Sequence, residues 1–152
     1  MKQVFLIGAI VVIIGVGVVY FFLQQREGEI PEVSVAVVED IGNELGKRDL
    51  IRVTNPRPNQ PISSPLLLEG EARGFWFFEA SFPIRLFDGN GKEIAVAIAQ
   101  AQGEWMTEEF VPFQATLEFA KPATEKGTLI FEKDNPSGLS SEADGLVMPI
   151  RF

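Results

Sequence analysis

The chain has 152 residues, a formal charge of -8, and neither Cys nor His. Disulfides, thiol nucleophiles, Cys/His zinc sites, imidazole-based triads and a lipidated N-terminal Cys are therefore excluded. The acidic balance, with no basic cluster longer than Lys47-Arg48, argues against a nucleic-acid surface.

From Val4 to Leu23 the chain reads VFLIGAIVVIIGVGVVYFFL, twenty residues without a charge. As a helix this run is about 30 Å long, the thickness of a bilayer's hydrocarbon core. Tyr20, Phe21 and Phe22 suit the interfacial aromatic belt, and no small-x-small cleavage site follows. Residues 1–23 are expected to be an uncleaved single-pass anchor in the cell membrane, with everything after it extracytoplasmic. Gly8, Gly15 and Gly17 read as glycines tolerated in a lipid-facing helix. Residues 24–49 are mixed and acidic and read as a linker.

Beyond residue 49 short alternating runs separated by turn residues predict an antiparallel all-β domain over 50–152. The expected strands cover residues 50–53, 66–73, 75–87, 93–102, 110–119, 128–133 and 146–152. Such a set of about seven is that of an immunoglobulin-like sandwich. Residues 54–65, TNPRPNQPISSP, carry four prolines and form an extended connection. Asp88-Gly89-Asn90-Gly91 closes a hairpin. Around it, Phe82, Ile84 and Leu86 are expected on the buried face, opposite Ile94, Val96 and Ile98, with Ala95, Ala97 and Ala99 turned outward. Each large side chain fully buried is worth roughly 1.5–3 kcal/mol, so these stripes account for a fold without any site.

Phe75-Trp76-Phe77-Phe78 is the sharpest feature. Period two places Trp76 and Phe78 in phase with Phe82 and therefore inside, unless Gly74 breaks the strand. Phe75 and Phe77 fall on the polar face. Together with Trp105 they are the candidates for an exposed interaction patch; the alternative is that they cover the open end of the sandwich.

Other chemistry is weakly signalled. Carboxylates such as Glu69, Glu71, Glu79, Glu104, Glu108 and Glu109 are of the type that cleaves glycosidic bonds, but solvated strand faces carry such residues routinely. Asp88 to Glu93 alternates oxygen ligands as calcium loops do, yet is too short for the full loop. P-loop, GxGxxG and GxSxG motifs are absent. No catalytic residue, metal or cofactor is expected, and the protein is read as not an enzyme.

The blocks "IRVTNPRPNQPISSPLLLEGEARGFWFFEASFPIRLFDGNGKEI", "AQAQGEWMTEEFVPFQATLEF", "GTLIFEKDNPSGL" and "VMPIRF", in that order, resemble the immunoglobulin-like domain named for bacterial spore germination proteins. The resemblance spans residues 50–152. It implies a seven-stranded sandwich outside a bacterial membrane, serving as an accessory or interaction module without known catalysis. The family's familiar setting is a lipoprotein with a second domain, and this chain has neither the Cys nor that domain. The functional expectation is a membrane-anchored module that binds an envelope protein or a cell-wall polymer. A purely structural spacer is the alternative, and carbohydrate binding through Trp105 and residues 75–78 is a narrower one.

Overall fold

A computed structural model describes residues 41–152. The expected membrane helix over residues 1–23 and most of the expected linker lie outside the described residues. Among the described residues no helix is long and apolar enough to cross a membrane.

A one-turn helix, α1 (Glu44–Lys47), precedes seven strands: β1 (Ile51–Asn55), β2 (Leu66–Arg73), β3 (Ser81–Asp88), β4 (Glu93–Ala101), β5 (Phe110–Leu117), β6 (Lys126–Glu132) and β7 (Gly145–Arg151). All pairings between strands are antiparallel, in the order β1-β2-β5-β4-β3-β6-β7. In a flat sheet β5 and β6, with β4 and β3 between them, would stand about 14 Å apart. Yet the rings of Phe113 on β5 and Phe131 on β6 lie 6.2 Å apart. The sheet is therefore folded over, with β1-β2-β5 facing β4-β3-β6-β7. The fold line runs between β4 and β5, which pair only at Gln100↔Gln114 and Ala101↔Phe113.

Alternation feeds the space between the two halves. Ile51 and Val53, Leu66 and Leu68, Phe82, Ile84 and Leu86, Val111 through Leu117 at every second position, Leu129 and Phe131, and Leu146, Met148 and Ile150 are all buried. Phe82 meets Phe113 edge-on at 4.9 Å, joining the two halves through aromatic contact.

β4 is turned over relative to expectation. Ala97 and Ala99 are buried, whereas Val96 and Ile98 are exposed. The cause is a bulge. Pairing starts at Phe87↔Glu93, then jumps to Leu86↔Ala95, leaving Ile94 as an extra residue. Without it Ile94, Val96 and Ile98 would face Leu86, Ile84 and Phe82. With it, Ala95, Ala97 and Ala99 take those places. Small residues opposite large ones leave room for the Phe113 ring against Phe82. The hairpin itself forms as expected, with the Asp88 carboxylate accepting from the backbone N–H groups of Asn90 and Lys92.

Both edges of the sheet are blunted. Along β7, Asn43 donates its backbone N–H to Val147 O and its amide to Gly145 O, while its amide oxygen accepts from Val147 N. Further along, Asn59 donates to Pro149 O, Ile62 to Arg151 O, and Arg151 to Gln60 O. Lys47 of α1 pairs with Asp144. The segment read as a linker thus ends docked on β7. β1 is followed by Pro56 and carries Arg52, and Arg57 donates to Val53 O.

Candidate functional site: the loop end

Antiparallel alternation brings the β2–β3, β4–β5 and β6–β7 loops to one end of the domain. The β2–β3 loop is the hub. Gly74 N donates to Glu109 O, Ala101 N donates to Ala80 O, and Asp134 N donates to Trp76 O. Arg73 reinforces the junction, donating from Nε to Asp49 O and from Nη1 to Glu108 O. Its guanidinium also stacks on the Phe110 ring at 4.1 Å.

The four aromatics do not form one strand. Gly74–Trp76 is a 3-10 turn, Phe77 returns to an extended conformation, and Phe78–Ser81 closes a two-residue hairpin. Phe78 and Ser81 exchange both backbone hydrogen bonds, and Glu79 and Ala80 between them have φ of 48° and 63°. Positive φ at both central positions is the type I′ arrangement, which normally prefers Asn-Gly. A 3-10 turn followed by a hairpin tip destroys period two, so the faces are redistributed.

Trp76 is buried and Phe75 exposed, in keeping with the alternation. Phe77 and Phe78 exchange roles. Phe77, expected on the patch, is only 5% exposed and meets Phe82 edge-on at 5.2 Å. Phe78, expected in the core, is 43% exposed. Trp105 is half-buried, packed against the core. Of the sequence-derived patch, Phe75 remains an accessible large apolar group, Trp105 is accessible in part, and Phe77 is removed from it.

Two residues missed by sequence reading join the surface. Met106 is 74% exposed and Leu139 57%. No local signal marks them, because only the tertiary fold places their loops beside residues 74–80. Phe75, Phe78, Met106 and Leu139 make up four of the nine large apolar side chains exposed among the described residues; the other five are Leu45 of α1 and Leu67, Val96, Ile98 and Val147 on strands.

A second surface lies on the outer face of β3, β6 and β7, where a groove of about 530 Å³ is lined by Pro83, Arg85, Ile130, Glu132, Asp144 and Val147, among others. Arg85 donates from Nε to Glu132 and from Nη1 to Glu93, both at 2.9 Å. Those hydrogen bonds, the one to Glu132 first, raise its pKa further. The Arg85 charge is thus already matched by two carboxylates.

The family model for the immunoglobulin-like domain of bacterial spore germination matches residues 50–140. The chain belongs to that family. No curated protein matches the chain, and no solved structure does either.

Proposed function

We propose that the protein is a membrane-anchored, extracytoplasmic, non-catalytic module that binds another envelope component through its loop end. The uncharged run from Val4 to Leu23 supports the anchor and the location. The observation that carries binding is that Phe75, Phe78, Met106 and Leu139 are exposed on three loops tied together by backbone hydrogen bonds. Exposed apolar side chains grouped in this way favour an interaction site over a spacer, whose ends need no apolar surface. Trp105 packs against the core and offers only part of its ring, which favours a protein partner over a sugar polymer stacked on aromatic faces.

The test is capture of crosslinked partners in intact cells by the wild-type chain and by the Phe75→Ser/Met106→Ser variant. Loss of a specific partner with an unchanged melting temperature supports the reading. Identical partners for both chains would return the domain to a spacer role.

A further inference from the structure

We infer that the loop end docks a basic protein segment, with Lys or Arg side chains flanking an apolar anchor; this rests on the binding role proposed above and names its partner. The loops that carry these apolar side chains are also acidic. Residues 74–80, 102–109 and 133–144 together carry seven carboxylates and a single basic side chain, Lys133. Glu79, Glu104, Glu108, Asp134 and Glu142 make no ion pair among the described residues, and all but Asp134 are exposed. Glu109 reaches Arg73 only at 3.9 Å. Asp144 is taken by Lys47.

The opposite end gives the contrast. Its three loops, residues 56–65, 88–92 and 118–125, hold Asp88, Glu118 and Glu125 against Lys92, Lys121 and Arg57, the last of which pairs with Glu44 of α1, and so carry far less negative charge. Charge is therefore polarised along the domain, and the negative end also carries the exposed Phe75, Phe78, Met106 and Leu139. Exposed charges act over about 10 Å at 0.1 M salt, a range that covers the rim of such a surface. A cationic partner would be steered to this end and held there by the apolar contacts. An anionic wall polymer or an anionic lipid surface would be repelled from it, so the complementarity selects a basic polypeptide.

The experiment uses the full-length chain and three probes: a synthetic peptide of alternating Lys and Phe, the same peptide with Glu for Lys, and phosphatidylglycerol vesicles. The Lys peptide is expected to bind, and Glu104→Gln/Glu108→Gln/Glu142→Gln to weaken it about tenfold. The control Glu118→Gln/Glu125→Gln, at the other end, should change it less than about twofold. Raising the salt should erase the difference between wild type and the triple variant.

Equal weakening by the loop and control substitutions would show a general effect of net charge and overturn the inference. Equal or tighter binding of the Glu peptide or of the vesicles would overturn it too. If Phe75→Ser/Met106→Ser loses cellular partners while the triple Gln variant keeps them at all salt concentrations, the apolar binding end stands and the basic partner falls.

Discussion

Phe82 of β3 stands edge-on to Phe113 of β5, ring centroids 4.9 Å apart, and joins two halves of a sheet that touch edge to edge only at the fold line. Phe113 also faces Phe131, and Phe82 also faces Phe77, so one aromatic series runs through the core to the base of the loop end. Replacing Phe113 by Ala should cost about 3–5 kcal/mol in denaturant unfolding. With Phe82→Ala in a double-mutant cycle, the coupling should reach about 0.5–1.5 kcal/mol. A cost below 1 kcal/mol for Phe113→Ala would contradict the folded-over sheet.

The inverted β4 makes an asymmetric prediction. Ile98→Thr, on the outer face, should change stability by less than about 0.5 kcal/mol. Ala99→Ile, directly across from Phe82, should destabilise by about 1–3 kcal/mol through overpacking. Without the Ile94 bulge the two outcomes would be reversed, so one pair of melting curves decides the register.

Trp76 is buried, and its indole N–H has no hydrogen-bond partner among the described residues. Trp76→Ala should lose about 3–5 kcal/mol. Trp76→Phe removes the unsatisfied donor, worth about 1–3 kcal/mol, along with part of the ring, so its net cost should be about 1 kcal/mol or less. Equal losses for Phe and Ala would mean that the N–H is satisfied in solution.

A Cβ at Gly74 would come within 2.0 Å of Thr107 O and 2.3 Å of Trp105 O. Both are backbone atoms and cannot swing aside. Gly74→Ala should push the β4–β5 loop away, costing about 1–3 kcal/mol and shifting Trp105 fluorescence to longer wavelength. An unchanged emission spectrum would show that the loops are not locked together here.

Ala80, with its φ of 63°, pays the steric cost of the left-handed region. Ala80→Gly should stabilise the protein by about 1 kcal/mol, read as a higher melting temperature. A lower melting temperature would mean that the hairpin tip is not strained.

Where a strand keeps strict alternation, the reading from sequence transfers directly. β2 spans the residues expected, and the inward stripes of β3 and β5 hold from Phe82 to Leu86 and from Val111 to Leu117. It fails where the alternation is interrupted by a residue that carries no mark of the interruption. Ile94 is a good strand former, and nothing local identifies it as the bulge. Phe77 and Phe78 are chemically identical, so period-two counting had no means of telling which turns inward once the 3-10 turn had reset the phase.

The amino-acid pattern alone determines that this is a Cys-free, acidic chain with an apolar run near its start and an antiparallel β domain after residue 49, because those properties depend on composition and short-range periodicity. Only the tertiary structure decides that β4 turns its alanines inward, that Phe77 is core and Phe78 is surface, and that Met106 and Leu139 share an end with Phe75. Each of these depends on contacts between residues far apart in the chain. A one-residue shift reverses every side chain that follows it, and the balance is settled by which side chains fit against Phe82 and Phe113 once the sheet has closed.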